Sequence, residues 1–309
     1  MRKIWTPSFW YGIGRYYVDF CTRASFSSVK VEGRGNLPTD GAIMLAPNHR
    51  CALMDALLVL LTGHRPIGFG ARMDIFRKPK IAAALRWLRI LPIARERDGL
   101  KEVIRNYDTF DEITECFEHG LPFCLFSEGA HRPEHGMMPV HKGIFRVARI
   151  ASEKLGCPVY IVPVGLDYEY FFRQGGRAAV RIGEPFEVNE FMAMHRSDSD
   201  ARMWKSLCDE LQNRLLGLVD RMPERRHGLI ALRAMAALLS LPLFIVCALC
   251  AFPIWLPSRL VLRRMKDKAW AHTVYYVFRL LLPLFIPFYW TATVLENFYY
   301  RLIKDLKNR

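Results

Sequence analysis

Three observations predict an α/β fold for this 309-residue chain, with a mixed, partly parallel sheet flanked by helices. Short β-rich runs alternate with helical runs through the middle of the sequence, a spacing that suits strand–helix units rather than a bundle or a sandwich. Apolar residues make up 51% and charged residues 24%, enough for a substantial core and too apolar for a disordered chain. The charge is also segregated: residues 31–220 carry 25 basic and 25 acidic side chains, while both ends are basic.

The elements follow in order. Residues 4–26 hold eight Trp, Tyr and Phe interspersed with Arg15 and Arg23. Too short and too polar to span a bilayer, this stretch suits a helix in the headgroup region, with packing on the body as its rival reading. Arg15 and Asp19 also interrupt any signal-peptide core. Strands are expected at 28–33, 42–46, 67–72, 123–126, 159–164 and 179–182, and helices at 52–62, 81–88, 100–118, 142–155 and 200–218. In such a sheet the site lies in loops that leave the carboxyl ends of strands.

Past a polar junction at 222–228 the chain turns apolar. Residues 234–258 carry no charge in 25 positions, and 280–295 none in 16. As helices they would reach about 37 and 24 Å, against a bilayer core of about 30 Å. Pro242, Pro253 and Pro257 interrupt the first run, and Pro283 and Pro287 the second. The loop between them, 259–268, has five basic residues against one acid. A kinked hairpin dipping into one leaflet keeps every basic cluster on one side, which two full crossings would not. The domain expectation is therefore a membrane-surface helix at 1–27, a globular α/β body at 28–225 and a membrane-associated helical hairpin at 226–309.

The formal charge of +14 is placed accordingly. Residues 1–30 contribute +4 and residues 221–309 contribute +10. Basic residues bordering long apolar runs fit anionic membrane lipids, where each nearby cation contributes roughly 1 kcal/mol. A nucleic-acid partner would call for a polar basic tail, so none is expected. Eight scattered cysteines without paired spacing point to a reducing compartment.

The chemistry concentrates in Ala46-Pro47-Asn48-His49-Arg50-Cys51-Ala52-Leu53-Met54-Asp55. A histidine leaving a strand with an aspartate entering the next helix is how a general base is assembled. The imidazole titrates near neutrality, and a carboxylate on its other nitrogen fixes the tautomer. With no activated Ser or Cys in view, an incoming hydroxyl would itself attack. Three later segments join this one. Ile90-Leu91-Pro92-Ile93-Ala94-Arg95 is an apolar strand-like piece ending in a cation. Leu125-Phe126-Ser127-Glu128-Gly129-Ala130-His131-Arg132 leaves a strand into a glycine turn, followed by Lys142-Gly143. Ile161-Val162-Pro163-Val164-Gly165 is a further buried strand. Arg95, Arg132 and Lys142 are cations able to neutralise an anionic group, which the resemblance described next makes the acceptor's phosphate. Glu128 would orient the acceptor or organise its loop. Gly129 would admit backbone N–H groups to an anion, or serve a plain turn. The histidines at 131, 135 and 141 lack metal-ligand spacing, and no Gly-rich nucleotide loop appears.

In these four ordered blocks the sequence resembles the glycerolipid acyltransferase family, the bacterial 1-acylglycerol-3-phosphate acyltransferase type. The family's His-Asp motif falls on His49 and Asp55, its second block on Pro92, Ile93 and Arg95, its Glu-Gly block on Glu128 and Gly129, and its Pro-Val block on Val162, Pro163 and Val164. The resemblance implies a membrane enzyme at the cytoplasmic face of a bacterial inner membrane. It would move an acyl group from acyl-CoA or acyl carrier protein to a lysolipid hydroxyl, with no separate cofactor. Two departures stand out. Five residues instead of four separate His49 from Asp55, and Ala130-His131-Arg132 replaces the usual Thr-Arg after Glu-Gly. The first makes a non-catalytic lipid-binding protein a rival reading. The second makes an N-acyl amino acid lipid bearing a hydroxyl a rival acceptor.

Overall fold

The computed structural model describes residues 3–94, 104, 106–195, 199–224 and 229–307. Among the described residues eight strands form one sheet: β1 (Ser28–Glu32), β2 (Ala42–Pro47), β3 (Gly68–Arg72), β4 (Ile90–Ile93), β5 (Phe123–Cys124), β6 (Val159–Tyr168), β7 (Arg177–Ile182) and β8 (Phe186–Glu187). Their spatial order is β1-β7-β6-β2-β5-β3-β4, with β8 also on β6. From β6 through β2, β5 and β3 to β4 every pairing is parallel, while β7 and β8 run antiparallel to β6. The sheet is thus mixed, as the alternation of strand and helix predicts.

Burial follows from sequence. Ala42-Ile43-Met44-Leu45-Ala46-Pro47 is apolar throughout because β2 sits mid-sheet with both faces covered. The helices of the body are α1 (Phe9–Arg23), α2 (Leu53–Leu60), α3 (Pro79–Trp87), α4 (Asn106–Glu118), α5 (Gly143–Leu155), α6 (Val188–Met194) and α7 (Asp200–Leu216). Helix α5 shows the amphipathic logic: Ile144, Phe145, Val147, Ala148 and Ala151 are buried, and Gly156 ends it in the left-handed region. β8 and α6 are additions to the sequence expectation; two-residue strands carry no periodicity to read.

Helix α1 packs on the body through one face and leaves an apolar stripe exposed on the other. Arg15 is buried against the end of α2, bonded to Asp19 and to the Leu60 and Gly63 carbonyls. Phe9, Ile13, Tyr16 and Phe20, spaced along one helical stripe, face outward, with Phe9 75% and Tyr16 72% exposed.

The C-terminal region differs from a simple hairpin. It comprises α8 (Ile230–Cys250), α9 (Phe252–Arg264), α10 (Ala271–Leu281) and α11 (Ile286–Lys307). Helices α8 and α11 lie side by side, joined by Arg233–Asp305 and Ser240–Tyr299, so α9 and α10 form a second hairpin nested inside the first. Helix α8 is long and apolar enough to cross a membrane, with mean hydropathy 2.2. The segments Lys268–Leu281 and Pro283–Lys307 reach that standard only together, bent by 108°. The region also docks on the body: Tyr17 donates to the Leu280 carbonyl, Arg279 to Ser25 Oγ and Trp290 to the Phe26 carbonyl.

Candidate active site

Strands β2, β5 and β6 point the same way, so the segments leaving them converge at one edge of the sheet. Asn48 clamps the first of these segments. Its amide nitrogen donates to the Leu166 carbonyl and its oxygen accepts from Leu166 N–H, fixing the chain at the residue before His49.

His49 Nδ1 and Asp55 Oδ2 are 2.7 Å apart. The same oxygen accepts the N–H groups of Arg50 at 2.6 Å and Cys51 at 2.7 Å, and Oδ1 accepts the Tyr168 hydroxyl at 2.5 Å. Asp55 is wholly buried, and these donors are what hold its charge away from water. The extra residue between His49 and Asp55 is absorbed before the helix begins. Met54 N–H bonds the Cys51 carbonyl, and Ala52 takes φ 46°, ψ −125° at the second position of that turn. This conformation is glycine's by preference, so Ala52 carries strain. The added residue therefore rotates nothing: the His–Asp bond forms, and a non-catalytic reading loses the support the spacing lent it.

The His49 ring lies against Phe126 at 4.0 Å between centroids and meets the edge of His131 at 5.3 Å. With Nδ1 engaged by Asp55, Nε2 has no bonded partner among the described residues. The imidazole side chain is 15% exposed, open enough for a substrate hydroxyl.

The Glu-Gly turn supports this loop from below. Glu128 Oε1 accepts His49 N–H and Oε2 accepts Met138 N–H, both at 2.9 Å. Of the two roles its sequence position suggests, it fulfils loop organisation, since both oxygens are bonded to main chain. Burial raises its carboxyl above the usual range, against the opposing pull of those two amides. Gly129 has φ +63°, and a Cβ there would stand 3.2 Å from the His141 ring. Its N–H bonds the Phe126 carbonyl, so Gly129 serves the turn rather than an anion.

The expected cations are distributed unevenly. Arg132 ties its N–H to the His49 carbonyl, but its guanidinium turns out to Glu134. His131 takes the inner place instead: Nε2 bonds Asp267 of the C-terminal region at 2.8 Å, and its ring meets Trp270 edge-on. Lys142 is exposed at the start of α5, where its charge reaches Cys208 of α7. Arg95 lies outside the described residues; Ala94 before it is pinned at both N–H and C=O by Asn106 at 2.8 Å. Among the described residues, no three His, Cys, Asp or Glu side chains are placed to hold a metal ion.

Three participants went unread in the sequence. Arg50, buried beside His49, bonds Asp167, Asp220 and the Gly136 carbonyl, tying the site loops to β6. Tyr168 and Asp267 come from segments more than 100 residues away in sequence. A charged residue next to the histidine was the only available signal, and it pointed to Arg50 alone.

The acyltransferase family model matches residues 28–167. An uncharacterised acyltransferase of Schizosaccharomyces pombe is 22% identical over 125 residues, which is 40% of this chain and 18% of that protein's length. The 1-acyl-sn-glycerophosphate (LPA) acyltransferase of Thermotoga maritima is a structural neighbour with TM-score 0.48 and 19% identity, covering 68% of this chain and 81% of that one. The family match spans the His49–Asp55 loop, the Glu128–Gly129 turn and all but the end of β6. Residues 28–167, a little under half of the chain, are similar to the acyltransferase family and form an acyltransferase domain by that match.

Proposed function

We propose that the protein is a membrane-surface O-acyltransferase that esterifies a lysolipid hydroxyl, 1-acylglycerol 3-phosphate being the leading acceptor and phosphatidic acid the product. The observation that carries this reading is the 2.7 Å His49–Asp55 bond, with Nε2 left to face a substrate. His49 Nε2 takes the hydroxyl proton as the oxygen attacks the thioester carbonyl of acyl-CoA or acyl carrier protein. The C–O bond forms, the C–S bond breaks, and the proton passes from His49 to the departing thiolate. Asp55 stabilises the imidazolium that exists between those two transfers.

The exposed stripe of α1, the apolar face of α8 and the basic ends support a reaction at an anionic bilayer surface, on the cytoplasmic side of a bacterial inner membrane. One observation favours the rival acceptor, a hydroxyl-bearing N-acyl amino acid lipid. The inner position of the Glu-Gly block holds His131 bonded to a carboxylate, where a free guanidinium would suit a phosphate.

Purified protein supplied with labelled acyl-CoA or acyl carrier protein should convert lysophosphatidic acid to phosphatidic acid. Transfer to the hydroxyacyl amino acid lipid alone would replace the phosphate acceptor with its rival. Transfer to neither, from either donor, would end the reading.

A further inference from the structure

Away from the His49 loop, a cavity of about 270 Å³ lies between the 170–175 segment and helices α9, α10 and α11. Two arginines meet in its wall. Arg173 and Arg259 approach the same Glu296 oxygen at 3.6 and 3.7 Å, both beyond hydrogen-bond length, so two cations share one carboxylate and the trio carries +1. Each guanidinium is laid on an aromatic ring, Arg173 at 4.1 Å over Tyr300 and Arg259 at 4.0 Å over Trp255. Arg173 Nε is further fixed by Asn297 Oδ1 at 3.0 Å. Stacking sets the plane of a guanidinium and leaves its edge N–H groups to donate, which is the geometry that grips a phosphate.

A second feature lies on the same wall. His272 Nε2 is 2.9 Å from the Tyr170 carbonyl and must donate to it, so Nδ1 is the bare nitrogen and accepts from Gln174 Nε2 at 2.8 Å. This fixes the orientation of the Gln174 amide. Its Oε1 is buried and has no hydrogen-bond partner. Gln174 is only 6% exposed, so an unpaired acceptor there costs free energy until a donor arrives. Phosphate binders and, beside them in the same wall, a buried acceptor without a donor describe a phosphate ester bearing hydroxyls. The setting adds the source: Arg259 lies in the last turns of α9, which the sequence placed in a loop, at the start of the basic 259–268 stretch, and neighbouring α8 presents Leu238, Leu239 and Leu249 outward.

We propose that this cavity holds the headgroup of an anionic membrane phospholipid, its phosphate on Arg173 and Arg259 and a headgroup hydroxyl donating to Gln174 Oε1. It shares no residue with the His49–Asp55 loop, so it stands whether or not that loop transfers acyl groups. The test is native mass spectrometry of the full chain in detergent, titrated with phosphatidylglycerol, with phosphatidylcholine and inorganic phosphate as separate arms. Wild-type protein should retain phosphatidylglycerol and not phosphatidylcholine, and millimolar inorganic phosphate should not displace it. The double variant R173K/R259K keeps both charges but loses both forks and should bind at least about fivefold more weakly. Gln174→Leu keeps both arginines and should still lose about threefold, which carries the test if the double variant does not fold. Equal retention of phosphatidylcholine, or unchanged binding in folded variants, would overturn the proposal. Displacement by inorganic phosphate would assign the cavity to the free ion and overturn the lipid.

Discussion

The two sides of the candidate site are built differently. On the His49 side nearly every polar group is buried and bonded. Asp55 receives four donors, Asn48 is bonded at both ends of its amide, and Arg50 reaches three partners. On the side formed by residues 131–142 the charged side chains are more open: Arg132, Glu134 and His135 are exposed, and His131 is bonded to the half-exposed Asp267. Buried charge demands saturation, whereas exposed charge is screened and inexpensive to change. Proton transfer needs the first kind of construction because its geometry must hold to fractions of an ångström. Substrate recognition can use the second, and this is where the chain departs from the Glu-Gly-Thr-Arg pattern of the family it resembles.

Substitutions on the buried side should accordingly be the costly ones. Asp55→Ala strands the Arg50 and Cys51 amides and the Tyr168 hydroxyl, and should destabilise the fold by about 3 kcal/mol, measured by denaturant unfolding. It should also cost about 10²–10⁴-fold in turnover. Tyr168→Phe removes one donor from Asp55 and should cost about 1–2 kcal/mol in the same measurement.

Glu128 sharpens the comparison through pH. Its folded carboxyl titrates above its unfolded value because burial penalises the ionised form. Its contribution to stability is therefore full below the unfolded carboxylate range and is lost as pH rises through the folded value. Unfolding midpoints of Glu128→Gln should lack that loss, so the stability difference between wild type and variant should narrow or invert as pH rises from 4 through 7. A difference that is constant across this range would contradict the assignment.

How far the sequence reached follows the same divide. His49 and Asp55 were legible because a histidine leaving a strand and an acid entering a helix are close in the chain. β2 and β6 were legible as unbroken apolar runs, the mark of strands covered on both faces. Tyr168, Asp267 and the nested arrangement of the C-terminal helices were not, because they depend on contacts between distant segments that no local pattern encodes. The five-residue spacing could be seen but not resolved. Only backbone angles at Ala52 show that a glycine-type turn takes up the added residue. Ala52→Gly should accordingly stabilise the protein by about 1 kcal/mol.

On the exposed side, Asp267→Asn removes the partner of His131. Burial alone would raise the Asp267 carboxyl, but bonds from His131 and the Ala269 amide bring it below the usual value. Asp267 is half exposed and His131 20% exposed, so stability should change by less than about 1 kcal/mol. The change should appear in KM for the acceptor and leave kcat near wild type. A loss of kcat as large as that of Asp55→Ala would erase the distinction between the two sides.

The most direct measurement is acyl transfer by His49→Ala on phospholipid vesicles, read together with its sedimentation on them. The account predicts turnover reduced at least about 10³-fold with vesicle binding unchanged, since the base is lost while α1 and the C-terminal helices are untouched. Transfer at a wild-type rate in that variant would contradict it.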